Sequence, residues 1–419
     1  MTEKNKRSQE EDYTSTKEGL AKIKILSEDE NKIPSKSMGV FYNEKMRLNR
    51  SITSLALESY YNIYSRSDLF ILDTMAASGV GPIRLIKEFE HIKKIIINDI
   101  NPTAIDLIKT NLRINNLDQN DKRIEITQKD ANYLMNELAV ESFIQKNGSN
   151  GRPDIISIDP FGTPNRYLDA AMKAIRNENG LLCITATDTA VLFGVKPKAC
   201  VRKYMAKPLV NEFSKEIGAR ILLYFISRIA NINNIGIEPL LSVYHKHFVR
   251  IFACTYKDKR KIAKKINKSY GYILHCSECN FRAIVKMNGI LKISKNCPKC
   301  QASNNLNFAG PLWVEKLHNK AFVEEIYSLS ENKSYLANKT KTILSYIKDE
   351  VNMPFSYYNI HKLTKKLQLS FVPKMEDIIL AINEKGCKAS RTHFDFTSIK
   401  TDITLELLEQ ILKNLQTSM

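Results

Sequence analysis

Residues 155–164 read I-I-S-I-D-P-F-G-T-P, and this stretch decides the class of fold. A mostly β-branched apolar run enters Asp159 and is stopped by Pro160 and Gly162. Such a run, closed by turn residues, predicts a strand buried on both faces, as in parallel sheets. The polar residues then stand at its carboxyl end, where open α/β sheets gather their ligands. Asp159, Pro160 and Phe161 together suit chemistry on a planar amine. The carboxylate accepts from N–H groups, the proline stiffens the turn and leaves its carbonyl free, and the ring can stack on a base. The same residues also fit a plain strand ending in a helix-capping Asp and a turn. The choice depends on whether a cofactor site lies upstream.

Residues 69–81 read L-F-I-L-D-T-M-A-A-S-G-V-G. A short apolar strand runs into Asp73, followed by a small-residue loop through Gly79 and a helix opened by Pro82. Small side chains let backbone approach a ligand closely. A helix over 83–89 leads to a second strand, 94–97, which ends at Asn98 and Asp99. An acidic residue roughly twenty positions past a glycine loop is where a ribose diol is held. A helix over 102–115 carries Ile105, Leu107, Ile108 and Leu112 toward the sheet. The third strand, 124–127, ends near Asp130 and Ala131, whose side chain and backbone can bond an adenine edge. A helix over 132–145 returns the chain to the Asp159 strand. Strands alternating with helices predict an α/β, Rossmann-like, doubly wound parallel sheet. A nicotinamide-dependent dehydrogenase would share much of this pattern. Its fingerprint is incomplete here, because Gly79-Val80-Gly81-Pro82-Ile83-Arg84 lacks the third glycine. With D-P-F-G added, methyl transfer from S-adenosylmethionine fits better.

The chain has 419 residues and is 43% hydrophobic, enough for a sizeable core in two or three domains. Its 63 Lys+Arg against 45 Asp+Glu give +18, which points to a polyanionic partner, nucleic acid first. Residues 1–15 predict a polar, mobile arm, and Ala21, Ile23 and Ile25 alternate with lysines as a half-buried strand. No apolar stretch follows the opening charges, so no secretion signal is expected, and the protein is expected to be cytoplasmic. The apolar run at 221–226 is too short to span a membrane. Residues 41–50 read F-Y-N-E-K-M-R-L-N-R. Arg47 and Arg50 could clamp a carboxylate or phosphate, or simply begin the helix expected over 51–64. Thr185, Thr187, Asp188 and Thr189 lie at a further strand end, as a pocket lining or a hydroxyl-rich turn. Residues 198–232 read as helical, and the basic run 257–268 as a linker or an RNA-facing stretch.

Four of the eight cysteines form two C-x-x-C pairs, Cys276/Cys279 and Cys297/Cys300, separated by residues 280–296. In a chain without a secretion signal this spacing predicts a structural zinc site, closed by four thiolates. A redox role for either pair is the lesser alternative. Beyond it, two short helices and a basic strand-turn-strand predict a winged-helix-like end. There Arg391, His393, Lys400, Phe394 and Phe396 suit phosphate and base contact, with protein–protein contact as the other option.

With these pieces placed, the chain resembles the archaeal and eukaryotic tRNA (guanine-26 N2)-dimethyltransferase family. F-Y-N-x-x-M-x-L-N-R, D-x-x-x-A-S-G, I-N-D-I-N-P-x-A, D-P-F-G-T-P, T-A-T-D-T-A and G-P-L-W carry the resemblance. It implies a polar arm at 1–15, a Rossmann-like methyltransferase domain at 16–255, and an α+β tRNA-binding domain at 256–419. The last would contain a zinc knuckle at 275–301 and a winged-helix-like end at 353–402. By the same resemblance Arg50 would hold the methionine carboxylate with Phe41 nearby, and Asp73 and Gly79 would belong to the cofactor loop. Asp99 would bind the ribose, and Asp130 with Ala131 the adenine. Asp159 would face the guanine amine, and Cys276, Cys279, Cys297 and Cys300 would ligate zinc. The family's glycine loop often carries an arginine directly after its G-V or G-I; Gly81 stands there in this chain, and the arginine present is Arg84. A DNA amino-methyltransferase shares the acid-proline-aromatic motif, and a catalytically silent RNA-binding protein would keep the charge and the knuckle. Loss of cofactor binding would mark the latter.

Overall fold

The computed structural model describes residues 13–26, 40, 42–64, 68–117, 121–144, 151–292 and 295–417. The chain divides into two compact units. The first comprises residues up to Ala186 with Phe252–Lys257 and Ser328–Lys341. The second comprises Thr187–Ile251, Asp258–Tyr327 and the residues from Thr342 onward.

The first unit opens with the antiparallel hairpin β1 (Tyr13–Glu18) and β2 (Ala21–Leu26). It continues as α1 (Arg47–Tyr64), β3 (Leu69–Asp73), α2 (Val80–Glu88), β4 (Ile92–Asn98), α3 (Pro102–Ile114) and β5 (Ile124–Thr127). Then follow α4 (Ala131–Ile144), β6 (Ile155–Ile158), α5 (Leu168–Ala174) and β7 (Leu181–Ala186). The strands lie in the order β5-β4-β3-β6-β7, and each adjacent pair is parallel. Succession reverses between β3 and β6, and such a switch point opens a crevice at the carboxyl ends of the strands. Ile95, Ile97, Ile156, Ile158 and the whole of Leu181–Ala186 are buried, as an unbroken apolar run requires in a sheet covered on both faces.

Residues 13–15, expected to belong to the arm, form the first half of β1. Tyr13 pairs with Leu26 and Ser15 with Lys24, so a partner strand orders a segment whose own composition is polar. The edge of β2 is closed by side chains. Asn111 of α3 and Asn115, the residue that caps its end, use their amides as a strand would. Asn111 accepts from Lys24 N at 2.7 Å and donates to Lys24 O at 3.1 Å; Asn115 does the same to Lys22 at 2.9 and 2.6 Å. An edge satisfied in this way offers no template to another chain.

The hairpin also delivers Glu18 into the interior. Glu18 is fully buried and receives Arg50 Nε at 2.7 Å, Arg50 Nη2 at 2.6 Å and Arg84 Nη1 at 2.9 Å. Arg84, itself buried, also grips Glu88 through Nε at 2.7 Å and Nη2 at 3.1 Å. Two carboxylates and two guanidiniums thus balance, which a buried charge requires. Gly19 makes the packing possible. It sits at φ +57, and a Cβ there would lie 1.9 Å from Glu88 Oε1. The helix expected from residue 51 starts earlier, at Arg47, because Asn43 caps the preceding turn by accepting from Lys45 N at 2.9 Å. Arg50 is therefore a helical residue aimed at Glu18.

The second unit contains α6 (Thr189–Leu192), α7 (Pro197–Tyr204), α8 (Ser214–Ile232), β8 (Gly236–His245), β9 (Phe248–Tyr256, whose last residues belong to the first unit) and α9 (Lys259–Ser269). The continuous helix expected over 198–232 is broken: Met205 turns left-handed at φ 52 as the cap of α7, and Pro208 follows it. Strands β10 (Tyr270–Cys276), β11 (Arg282–Lys286) and β12 (Leu306–Trp313) form a sheet in the order β11-β10-β12. The remainder is α10 (Lys320–Glu331), α11 (Asn338–Glu350), β13 (Tyr358–Asn359), α12 (Ile360–Lys366), α13 (Met375–Glu384), β14 (Ala389–Arg391), β15 (Ser398–Thr401) and α14 (Leu405–Thr417). The small sheet β13-β15-β14 shares a core of Ile360, Ile378, Ile382, Ile399, Leu408 and Leu412 with the last three helices. Each such side chain contributes on the order of 1.5–3 kcal/mol by leaving water.

Burial alone would push the Glu18 carboxyl up, but the Arg50 and Arg84 guanidiniums outweigh it and hold the group at about 2, below its ordinary 4.5. Its stabilisation is therefore complete above about pH 4.5 and drains away as the pH falls toward 2. Glu18→Gln should destabilise the protein by about 3–5 kcal/mol at neutral pH, because two guanidiniums lose a buried counter-charge. It should also flatten part of the acid limb of stability. Urea denaturation followed by circular dichroism between pH 7 and pH 3 checks both; an unchanged midpoint at pH 7 would contradict the account.

Candidate active site

The carboxyl ends of β3, β4, β5 and β6 are bound to one another by a few side chains. Asn98, the fully buried last residue of β4, is the centre of this arrangement. Its Nδ2 donates to Thr74 O and to Lys129 O, both at 2.9 Å. Its Oδ1 accepts from Thr127 Oγ1 at 2.8 Å and from Lys129 N at 3.0 Å. All four hydrogen-bonding positions of the amide are used, and they join the ends of three strands. Thr74 is tied to β6 as well, through its N at 3.2 Å and its Oγ1 at 2.8 Å to Ser157 O. The expected site residues flank these clasps.

Asp99 follows Asn98 and accepts from Ala77 N at 2.8 Å and Asn101 N at 2.9 Å. It therefore fixes the loop after β3, where Ala77 (φ 50) and Gly79 (φ 77) both take left-handed conformations. A Cβ on Gly79 would press on Ile108 at 3.1 Å, and Gly79 O receives the first helical bond of α2 from Ile83 N at 3.0 Å. Asp73, at the end of β3, accepts from Met75 N at 3.4 Å. Asp130 is exposed and caps α4, its Oδ1 accepting from Asn132 N at 2.9 Å and Tyr133 N at 3.1 Å; Ala131 beside it is buried. Three carboxylates thus line one rim of the sheet, a setting suited to cationic and hydroxyl-bearing ligands.

Asp159 stands just past β6, half-buried, and Asn49 of α1 donates to its Oδ2 at 3.0 Å. The same amide nitrogen lies 3.4 Å from Thr185 Oγ1 at the end of β7, and Thr53 Oγ1 lies 3.5 Å from Asn49 Oδ1. Pro160 is buried, whereas Phe161 keeps 42% of its surface exposed, as a stacking platform needs. Arg50, next to Asn49, has Nε and Nη2 committed to Glu18, and Nη2 also reaches Asn43 O at 3.1 Å. Among the described residues its Nη1 has no partner. Phe41 lies outside the described residues. Arg84, of the glycine loop's helix, points into the buried ion cluster rather than toward the crevice. Sequence reasoning missed Asn49 and Asn98. Each is a buried amide beside a residue that was singled out, and a polar residue on an otherwise apolar face was the available signal.

In the second unit Asp188 is taken up by Lys203 Nζ at 2.9 Å and Tyr204 OH at 2.7 Å. The thiols of Cys276, Cys279, Cys297 and Cys300 converge within 4.8 Å of one another, with Cys276 to Cys300 at 3.8 Å and Cys279 to Cys297 at 3.6 Å. A tetrahedron with metal–sulfur bonds of about 2.3 Å has edges of about 3.8 Å, so four thiolates placed this way fit a zinc ion. The two halves turn alike. Asn280 N returns to Cys276 O at 3.0 Å and Gln301 N to Cys297 O at 2.9 Å, and both Asn280 and Gln301 are left-handed.

His318, Glu350 and His393 form a second close group, entirely buried. Its chemistry argues against a metal. Ser242 N donates to His318 Nδ1 at 3.3 Å, which leaves the proton of the neutral ring on Nε2 and no lone pair there. Burial pushes His318 down to about 3, so it is neutral. Glu350 bonds His393 Nδ1 and Thr392 Oγ1 and has the Lys400 ammonium 3.6 Å away, while Lys400 reaches Glu216 at 2.9 Å. The group is an internal ion-pair lock. It also corrects an expectation: His393, Phe394 and Lys400 are buried and face inward, so they offer nothing to RNA. Arg391 keeps partial exposure with Glu376 at 3.2 Å, and Phe396 is 40% exposed.

Residues 21–413 match the family model described as N2,N2-dimethylguanosine tRNA methyltransferase. The chain is 34% identical to the tRNA (guanine(26)-N(2))-dimethyltransferase of Methanosphaera stadtmanae, over 95% of this chain and 96% of that protein. It is 32% identical to the tRNA (guanine(26)-N(2)/guanine(27)-N(2))-dimethyltransferase of Aquifex aeolicus, over 95% of each. Its structure is similar to that of Trm1 from Pyrococcus horikoshii in complex with S-adenosyl-L-methionine, with a TM-score of 0.77 and 30% identity over 95% of this chain and 99% of that one. The sheet is therefore that of an S-adenosylmethionine-dependent methyltransferase, and the chain belongs to the N2,N2-dimethylguanosine tRNA methyltransferase family.

Proposed function

We propose that this protein transfers methyl groups from S-adenosylmethionine to the exocyclic N2 of guanine-26 in tRNA, giving N2-methyl- and then N2,N2-dimethylguanosine. The observation that carries the assignment of roles is the Asp159 carboxylate, held by the buried Asn49 amide at the switch point of the sheet. Family membership supports the reaction and its substrate.

The donor, when bound, supplies the methyl group as an electrophile on a sulfonium. Asp99 would hold its ribose, Asp130 and the Ala131 backbone its adenine, and Arg50 Nη1 its carboxylate. Asp73 and Gly79 would shape the loop against it. The fit lies in the left-handed loop at 77 and 79, which brings backbone rather than side chains to the crevice, and in the acidic rim, which suits a cation. Phe41 belongs to this proposal by sequence alone.

Guanine N2 is a weak nucleophile because its lone pair is delocalised into the ring, so much of the catalytic gain comes from orientation. Asp159 accepts from an N2 hydrogen, turns the amine toward attack and offsets the positive charge that grows on nitrogen. As the new N–C bond forms, the methyl–sulfur bond would break with its electron pair left on sulfur as a neutral thioether, and the N2 proton would pass to Asp159 and on to solvent. Pro160 offers its carbonyl to a second N2 hydrogen, and Phe161 receives the base that has left its stack. Asn49 fixes which lone pair of Asp159 faces the substrate. The basic C-terminal domain, residues 256–419, would bind tRNA. In it the four thiolates of Cys276, Cys279, Cys297 and Cys300 would close on a structural zinc, and the β13–β15 module would be winged-helix-like.

Labelled cofactor should enter a tRNA transcript but not a copy with guanine-26 replaced by adenine, with nucleoside analysis locating the methyl. Label in both would move the site, with guanine-27 the first alternative. Asp159→Ala should lower transfer by roughly 10³-fold or more while tRNA and cofactor affinities stay within about threefold, a loss of the size expected for a group acting mainly in the transition state. Retained turnover would remove Asp159 from the chemistry.

Asn49→Ala should lower kcat by about 10–100-fold with little change in KM, as for a residue that orients another. A variant with raised KM and normal kcat would instead place Asn49 in binding. The purified protein should contain one zinc per chain, released by chelators with loss of thermal stability, and Cys297→Ser should lose it. Full stability without metal would contradict the zinc assignment.

A further inference from the structure

We propose that the outward face of α9 is a binding surface for the phosphate backbone of tRNA; this rests on the tRNA reading above and adds where the polyanion lies. Helix α9 reads K-R-K-I-A-K-K-I-N-K-S and carries six cations and no acid. Only Ile262 and Ser269 of the helix are buried, so its packing does not call for this charge. Its neighbours neutralise one side only. Glu238 takes Lys261 at 3.1 Å and also Lys265, and Glu315 takes Lys268 at 3.2 Å. Lys259, Arg260 and Lys264 are exposed, and no carboxylate among the described residues pairs with them.

The arrangement is unfavourable for the free protein on two counts. Arg260/Lys264, Lys261/Lys265 and Lys264/Lys268 are like-charged pairs one helical turn apart, which oppose helix formation. Lys259, Arg260 and Lys261 occupy the first turn, where the helix dipole favours anions and repels cations. Asp258 offsets this only in part, as the cap that accepts from Lys261 N at 2.9 Å. Phosphates along the exposed side would relieve the Arg260/Lys264 repulsion and offset the cations of the first turn. The helix is about 16 Å long, enough to follow several phosphates of one strand. Lysines and an arginine read charge rather than base, so the contact is sequence-independent and positions the tRNA.

The test measures binding of fluorescently labelled tRNA at a series of KCl concentrations, without cofactor, for the wild type and for the full-length variant K259Q/R260Q/K264Q. A second variant, K320Q/K339Q/K348Q, removes the same charge from exposed lysines of other helices. The α9 variant should bind roughly tenfold or more weakly, and the slope of log affinity against log salt should fall by about 2–3, roughly one for each phosphate that the variant no longer neutralises. Its melting temperature should be unchanged or higher, since repulsion has been removed, and its affinity for S-adenosylmethionine should not change. The control variant should retain most of the slope. Equal slopes for wild type and α9 variant, or equal losses in the two variants, would overturn the surface while leaving the function standing. A wild type without salt-sensitive tRNA binding would instead remove the tRNA reading and this surface with it.

Discussion

Four parallel strands ending side by side leave a row of backbone groups that water cannot satisfy, and one buried amide resolves most of that problem. Asn98 donates twice and accepts twice, and its partners come from the loop after β3 and from the end of β5. Leaving a buried polar group unpaired costs about 1–3 kcal/mol, so an amide with every position filled sets the geometry of its neighbours firmly. Asp99 is the next residue, Ala77 is bound to it, and Asp130 follows Lys129, whose backbone bonds Asn98 at both N and O. The acidic rim is thus a consequence of one clasp. Asp159 joins the rim through Thr74 and Ser157 on one side and through Asn49 on the other.

Each unit also carries its own enclosed set of charges. In the first, Glu18 and Glu88 meet Arg50 and Arg84; in the second, Glu216 and Glu350 meet Arg220 and Lys400. Buried ion pairs add little net stability relative to apolar packing, but losing one partner is costly. Their consequence here is positional. Glu18 holds two of the three nitrogens of Arg50 and leaves the third, while Lys400 and His393 are withdrawn from the surface that their sequence context suggested. The surface charge left over is concentrated where such compensation is incomplete.

Much of the fold was legible because its signals are local. The apolar runs at 155–158 and 181–184 mark strands covered on both faces, and the positions of Ile105, Ile108 and Leu112 mark the packed side of α3. The cysteine spacing was equally direct, since two tight turns can bring four thiols together in few ways. What failed was non-local. Residues 13–15 became a strand only through β2, the helix over 198–232 broke at Met205, and His393 and Lys400 turned inward toward Glu350 and Glu216, residues far away in the chain.

The sequence by itself determined the alternation of strands and helices, the acid at each strand end, the four-thiol cluster and the basic excess, because each depends on residue type at fixed short spacing. Only the tertiary structure decided that Arg50 shares its guanidinium with Glu18, that Arg84 is internal, that Asn49 aims Asp159, and that α9 leaves one side of its charge uncompensated. Those outcomes depend on which side chains from distant segments come within about 3 Å, the range over which a hydrogen bond or ion pair acts, and no local pattern encodes that distance.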